Sequence, residues 1–429
     1  MKAVCYDVSP WRWVACKLLS RFSTRVYLSR LSTLRMRDVP EPTLPGPDWV
    51  RLRTIYGGVC GTDLGLITSK GHPNTILQQY AAFPTVLGHE NVATILEVGA
   101  NVTHWKPGDR VCADPAIGCR GRGFNPPCQY CAAGLDSLCE GDAGQPVAPN
   151  AGSAVRTTPP IDLPPRALLG LNRTTLGSWA PQFMAHQSQL HRVPDDITSE
   201  QAILVDPIAS ATHAVLRRPP ESGETILVQG AGIIAVGVIA AIRALGCDNP
   251  ITTLVRSQWQ ADLAMTFGAT KAILSPADQH RRDKYDAVAA DTNAFRVEGR
   301  MGNQSLIGGY DLIYDCAGTG RALSDALKLT RSRGTCVVVG TTGIAMTDTT
   351  PIWFSEVNVV GANGRQIEIV DGQPRHTYDV VFDWIRAGRI DLSKIPTACV
   401  PLSDYRRGLA MLVDRPRKNI LKLCFQPDC

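Results

Sequence analysis

Glu224-Thr225-Ile226-Leu227-Val228-Gln229 runs directly into Gly230-Ala231-Gly232-Ile233-Ile234-Ala235, and then into the small and apolar residues of 237–245. A strand-like run, a glycine turn and a helix-like run in immediate succession are how a βαβ unit begins. The turn fits G-x-G-x-x-G/A, with Ala235 in the last place. Gly230 permits the tight turn, Gly232 lets the backbone approach a pyrophosphate, and Ala235 keeps helix and strand close. The helix start, with Ile233 and Ile234, adds backbone amides and a positive dipole end for phosphates.

Residues 223–362 continue to alternate strand and helix patterns, which argues for a parallel sheet and an α/β fold. Tyr310-Asp311-Leu312-Ile313-Tyr314-Asp315, residues 335–340 (which include Val339-Gly340) and residues 357–361 are further strands, with a polar insertion at 280–308. An NAD-binding unit needs an acid at the end of the strand over 251–255, to accept the ribose hydroxyls. Here that strand ends Leu254-Val255-Arg256-Ser257. A cation suits a 2′-phosphate, so NADP is favoured over NAD; an exposed Arg256 without a ligand is the other reading.

The N-terminal half carries donors of another kind. Cys60-Gly61-Thr62-Asp63 and Gly88-His89-Glu90 supply a thiolate, an imidazole and a carboxylate, the ligand types zinc prefers. Twenty-eight residues separate Cys60 from His89, so only the fold can bring them together, and three such residues by themselves are more often structural. Asp206 lies in an otherwise apolar helical stretch that starts at Ser199, and a carboxylate there is costly to bury unless it is paired or metal-bound. Cys119-x8-Cys128-x2-Cys131-x7-Cys139 places four cysteines within 21 residues, with Gly and Pro between them. A closed four-thiolate shell has no open position, so zinc there would brace a loop; four free thiols or a redox pair are the alternatives.

The 429 residues suffice for two or three domains. An apolar content of 44% and a charged content of 19% fit a soluble globular chain. No apolar run approaches the ~18–20 residues of a membrane span. A net charge of +5 across the whole chain is too diffuse to argue for nucleic acid, and no stretch combines basic residues and interleaved aromatics in a recognisable nucleic-acid motif. In a reducing compartment, clustered members of the 14 cysteines are metal ligands rather than disulfides. Cys5, Cys16, Cys247, Cys316, Cys336, Cys399 and Cys424 read as small buried residues, Cys112 as a buried strand residue and Cys429 as a free tail thiol. Strand patterns over 1–8, 49–56, 92–98 and 178–193 outline a small β-rich unit, with a loop-rich stretch at 141–175. Residues 378–386 and 403–413 are amphipathic helices flanking a strand at 396–401. Residues 11–37 hold seven basic residues and no acid, mixed with Trp13, Leu18, Leu19, Phe22, Val26 and Tyr27. An insertion between two strands is the favoured reading; a mitochondrial transit peptide and a membrane-surface helix are the others.

Together, Cys60-Gly61-Thr62-Asp63, Gly88-His89-Glu90, the four-cysteine cluster, Val205-Asp206-Pro207, Gly230-Ala231-Gly232 and Val339-Gly340 span nearly the whole chain. In this order they resemble the medium-chain dehydrogenase/reductase superfamily, of the zinc-dependent alcohol dehydrogenase type, leaning towards its polyol, threonine and glucose dehydrogenase branch. The resemblance implies a GroES-like β-barrel catalytic domain over 1–205 and 363–429, with an inserted Rossmann doubly wound parallel sheet over 206–362. It implies a catalytic zinc on Cys60 and His89, with Glu90 a ligand or near-ligand. Asp206 stands where relatives have Cys or Glu, and would bind directly or through water. Thr62 would take the substrate alcohol proton, and Asp63 would hydrogen-bond the other nitrogen of His89. Gly230, Gly232, Ile233, Ile234, Ala235, Arg256 and Gly340 would face the cofactor. Cys119, Cys128, Cys131 and Cys139 would hold a structural zinc, although the first spacing is eight residues rather than the usual two. Gly65 stands where many relatives carry a proton-passing His, with His72 nearby, so release through water or an altered rate is implied.

The implied activity is hydride transfer between an alcohol or polyol, or its aldehyde or ketone, and NADP or NAD. A biosynthetic carbonyl reductase on the same scaffold, and a catalytically weak NADP-binding sensor or partner protein, are the alternatives. A homodimer or homotetramer and a cytoplasmic location complete the family expectation.

Overall fold

Alternation along Trp49–Gly58 buries Val50, Leu52 and Thr54 and leaves Arg51 and Arg53 more open, so one face of this strand belongs to a core. In the computed structural model, residues 1–70, 75–141, 161–164, 166–276, 281–341, 343–413 and 419–427 are described; His72, Cys429 and much of the loop-rich stretch 141–175 lie outside them. The chain forms two compact units. The first comprises Met1–Asp206, Gly364–Phe382 and Leu392–Cys429, and the second Pro207–Asn363 and Asp383–Asp391.

In the first unit, Trp49–Gly58 is the central strand of a seven-stranded sheet. It pairs antiparallel with Asn91–Val98 on one side, and on the other with Gln182–His186 and Lys422–Gln426. A three-stranded sheet pairs Lys2–Tyr6 with Leu34–Asp38 and Thr85–Val86. Most of the 11–37 stretch therefore lies between two paired strands, as expected, while residues 34–37 belong to the second of them; Cys16, Tyr27 and Leu34 are buried in a shared core with Trp179 and Phe425. The closing strand Lys422–Gln426 was not among the sequence expectations. It also corrects two cysteines. Cys399 and Cys424 lie opposite each other in the Thr397–Pro401/Lys422–Gln426 pair and form a disulfide, rather than being separate buried thiols.

The second unit holds six parallel strands in the spatial order Lys271–Leu274, Ile251–Val255, Ile226–Gln229, Tyr310–Asp315, Thr330–Val338, Asn358–Gly361. The chain order reverses between Ile226–Gln229 and Tyr310–Asp315, the position at which such sheets take ligands beyond their carboxyl ends. The helix after the glycine turn spans Ile233–Ala244. It thus begins four residues earlier than the apolar run suggests, because Gly232 is itself the N-cap.

The polar stretch 280–308 is an ordered helix, Arg281–Thr292, followed by a hairpin. Its charges are used inward. Arg281 Nη2 reaches Asp325 Oδ1 at 2.6 Å, the Tyr285 hydroxyl donates to the same oxygen at 2.9 Å, and Lys284 pairs with the other. Burial alone would raise the Asp325 pKa, but the Lys284 and Arg281 charges and hydrogen bonds outweigh it and hold the carboxyl below its usual range. Such a group stabilises the fold above its unfolded pKa, and that stability is lost as pH falls through the folded value. Asp325→Ala, by stranding Lys284, should cost about 3–5 kcal/mol. Unfolding midpoints measured across acid pH should show the wild type losing stability more steeply than the variant; parallel curves would remove this role from Asp325.

Candidate active site

Cys60 is the N-cap of the helix Gly61–Ile67, and its backbone N–H donates to Asp63 Oδ2 at 2.9 Å. The cap fixes the thiol at the start of this helix. The second Asp63 oxygen faces His89 Nδ1 at 3.6 Å, and neither atom has a closer partner. One carboxylate oxygen therefore starts the helix while the other faces the imidazole. Burial would lower the His89 pKa, but the Asp63 and Cys60 charges outweigh it and raise it well above its ordinary value.

His89 is aimed by the residue before it. Gly88 has φ +96°, and a Cβ there would lie 2.3 Å from Trp179 Cδ1. Only glycine satisfies both constraints. Trp179 is fully buried and donates from Nε1 to the Gly58 carbonyl at 2.9 Å, so the indole that shapes this turn is itself fixed.

Donor atoms of Cys60, His89 and Glu90 lie within 4.8 Å of one another. The Glu90 carboxylate is buried against Lys422, whose side chain is 1% exposed and whose Nζ also donates to the Val59 carbonyl at 3.4 Å. Burial pushes the Glu90 pKa up, and the Asp206 charge adds to this against the lowering effect of Lys422. Lys422 has no counterpart among the sequence expectations, although a lysine between Leu421 and Leu423 in an apolar run was a signal.

Asp206 is held by other partners. It is not among the grouped donors. Arg365 Nη2 reaches its Oδ1 at 2.7 Å, and the Tyr378 hydroxyl donates to Oδ2 at 2.6 Å. Both partners are buried; the Asp206 charge raises the pKa of each, against burial for Arg365 and together with burial for Tyr378. Thr62 is half-buried, with its hydroxyl 3.8 Å from Cys60 Sγ. A Cβ at Gly65 would meet nothing within 4 Å.

Cys119, Cys128, Cys131 and Cys139 come together in a second buried group. Backbone N–H groups point at the sulfurs, Cys128 N to Cys119 Sγ and Cys119 N to Cys131 Sγ, both at 3.3 Å. A hydrogen bond from Cys131 draws the Cys139 pKa down to about 5, while burial pushes Cys119 up to about 12. Four thiols this close cannot all ionise without a cation among them, and amides aimed at sulfur are what a thiolate–metal shell requires. The donor set fits zinc.

In the second unit, Gly230 has φ +128°, with the Cys316–Ala317 backbone 3.1 Å from where a Cβ would sit. Gly232 faces open space, and Ile233, Ile234 and Ala235 form the first helical turn behind it. An uncrowded backbone at a helix N-terminus fits a dinucleotide pyrophosphate. Gly340 packs against Gly318, where a Cβ would lie 2.3 Å from the Gly318 nitrogen. Arg256 follows Ile251–Val255, is exposed, and has no ion-pair partner among the described residues.

Residues 46–195 match the alcohol dehydrogenase GroES-like domain, and residues 234–386 match the zinc-binding dehydrogenase domain. The chain is 28% identical over 376 residues to the L-threonine 3-dehydrogenase of Anaeromyxobacter dehalogenans, covering 87% of this chain and 90% of that protein. It is 26% identical over 402 residues to the L-idonate 5-dehydrogenase of Vitis vinifera, covering 93% of each. The 2R,3R-butanediol dehydrogenase of Bacillus subtilis has the same fold, with a TM-score of 0.68 at 22% identity over 100% of this chain and 99% of that one. The chain belongs to the zinc-dependent alcohol dehydrogenase type of the medium-chain dehydrogenase/reductase superfamily. It is an NAD(P)-dependent oxidoreductase, with a GroES-like unit and a Rossmann unit, and no helix among the described residues is long and apolar enough to cross a membrane.

Removing Lys422 leaves a buried carboxylate unpaired. Lys422→Met should lower stability by about 3–5 kcal/mol, and adding Glu90→Gln should restore much of the loss. The unfolding midpoints of the two variants test this. A double variant no more stable than the single one would show that Lys422 does not serve Glu90.

Proposed function

We propose that the chain moves hydride between an alcohol or polyol, or the matching aldehyde or ketone, and a nicotinamide cofactor, with a zinc held by Cys60, His89 and Glu90. One observation carries this reading. Three donors of different types are grouped by a helix cap and a glycine turn, and Glu90 is held there at the cost of burying a lysine. When bound, zinc supplies Lewis acidity to the substrate oxygen, and the nicotinamide supplies the hydride acceptor.

The chain's own residues do the rest. Cys60 and His89 are the anchoring ligands, and Glu90 is a third donor whose charge Lys422 balances. Asp63 holds the His89 tautomer that presents Nε2. Asp206 is assigned to Arg365 and Tyr378, as a brace rather than a direct ligand. The Thr62 hydroxyl takes the substrate alcohol proton and gives its own to water, for which the open space at Gly65 leaves room. Cys119, Cys128, Cys131 and Cys139 hold a second, structural zinc.

The cofactor loop is Gly230, Gly232, Ile233, Ile234 and Ala235, closed by the Gly340 contact. Arg256 makes the cofactor NADP in preference to NAD. A homodimer, alone or as half of a tetramer, is supported by the outermost strand Asn358–Gly361 and the exposed Trp353 and Phe354 just before it.

Cys60→Ser should lower turnover of secondary alcohols and polyols at least about a hundredfold, with far-UV circular dichroism and NADP affinity unchanged. Full turnover by the variant would refute the site. Arg256→Ala should weaken NADP about 10–100-fold, the worth of a lost charge-assisted hydrogen bond, and leave NAD nearly unaffected. Equal losses in cofactor titrations would deny Arg256 this role.

A further inference from the structure

The segment between Lys2–Tyr6 and Leu34–Asp38 has no part in the chemistry above. It holds the helix Pro10–Leu19 and the short turn Thr24–Leu28. Its inner side is anchored, with Cys16 and Tyr27 in the core and Lys17 Nζ donating to the Ser69 carbonyl at 2.7 Å. Its outer side is unlike that of a helix lying on a globular core. Trp11, Val14 and Leu18 recur at the three- and four-residue spacing of one helical face, and Phe22 follows in the turn after the helix. They are 59%, 49%, 54% and 90% exposed. The apolar stripe faces outward instead of inward.

The charge gathers in the same segment. Between Asp7 and Asp38 the chain has seven basic residues and no acid, although its total is only +5, so the remainder is slightly acidic on balance. A pocket of about 240 Å³ opens beside the helix start, where Arg12, Arg35 and Arg37 converge with Ser9 and Thr33. Asp7 pairs with Arg37 at 2.7 Å, which leaves the charge of Arg12 and Arg35 in excess. Alternation along Leu34–Asp38 puts Arg35 and Arg37 on one side and sends Leu34 and Met36 to the core. Trp11 lines this pocket and also begins the apolar stripe.

We propose that this face docks on an anionic membrane surface. Trp11, Val14, Leu18 and Phe22 enter the boundary between headgroups and acyl chains, and Arg12 and Arg35 hold a lipid phosphate in the pocket. A bilayer interface satisfies both features together: it accepts apolar side chains without a preformed groove, and it offers phosphate at the level where the arginines lie. An acidic protein would answer the charge but leave the Phe22 ring and the stripe without a partner. The helix is ten residues long, so the docking is peripheral and reversible.

The test is sedimentation of the full chain with vesicles of phosphatidylcholine and phosphatidylserine in a 2:1 ratio, against vesicles of phosphatidylcholine alone. Binding to the mixed vesicles is expected at about 0.05 M salt and should weaken strongly near 0.5 M. Trp11→Ser/Leu18→Ser/Phe22→Ser should reduce it about tenfold or more, and Arg12→Gln/Arg35→Gln should reduce it with the apolar stripe intact. Both variants should keep the wild-type unfolding midpoint and dehydrogenase turnover, since none of these residues belongs to the core or the active site. Failure of the wild type to sediment with the mixed vesicles would overturn the proposal, as would equal binding to phosphatidylcholine alone or undiminished binding by the triple variant. Capture by soluble heparin without vesicle binding would point to an acidic macromolecule instead, and would also overturn it.

Discussion

A carboxylate without water needs a cation, and the pairing of Glu90 with Lys422 is the constraint on which the first unit's site depends. The two residues are 332 positions apart. For their charges to meet, the closing strand Lys422–Gln426 must pair with Trp49–Gly58, and that pairing also brings Gly58 beside the Trp179 indole. Trp179 in turn leaves no room for a side chain at Gly88, the residue that aims His89. A single buried ion pair thus links the end of the chain to the turn that presents the imidazole. Buried pairs of this kind are not in themselves sources of stability. Their retention here fits a group whose charge is needed for another purpose, which is to face a metal.

The same economy recurs in smaller units. Asp63 caps a helix with one oxygen and faces the imidazole with the other. Asp206 places one oxygen against Arg365 and the other against Tyr378. In the second unit, the reversal of strand order beside Gly230 places an open glycine at a helix start, and Arg256 follows the neighbouring strand. Each feature is a backbone decision first and a chemical one second.

What could be read in the sequence follows from this. The glycine turn and the four-cysteine cluster were legible because their chemistry needs particular residues at short spacing. Cys60, His89 and Asp63 are too far apart or too ordinary singly, and were read only through the family resemblance. Lys422, Arg365 and Tyr378 were not, because a counter-charge can come from any strand and sequence distance carries no information about it. Asp206 shows the converse. The sequence marks a carboxylate that must be paired, and burial states the need without naming the partner. The disulfide between Cys399 and Cys424 was hidden for the same reason, since strand register decides it. The helix start at Ile233 was misplaced because the apolar run becomes obvious only at Gly237, whereas the cap at Gly232 is set by backbone geometry.

Two separate donor groups, one with an open side and one closed, should each hold zinc. Elemental analysis of freshly purified protein should therefore find two zinc ions per chain, one of them removed by mild chelation and the other retained. One firmly held ion, with none released by chelation and none regained on adding zinc, would leave Cys60, His89 and Glu90 without a metal and contradict the account.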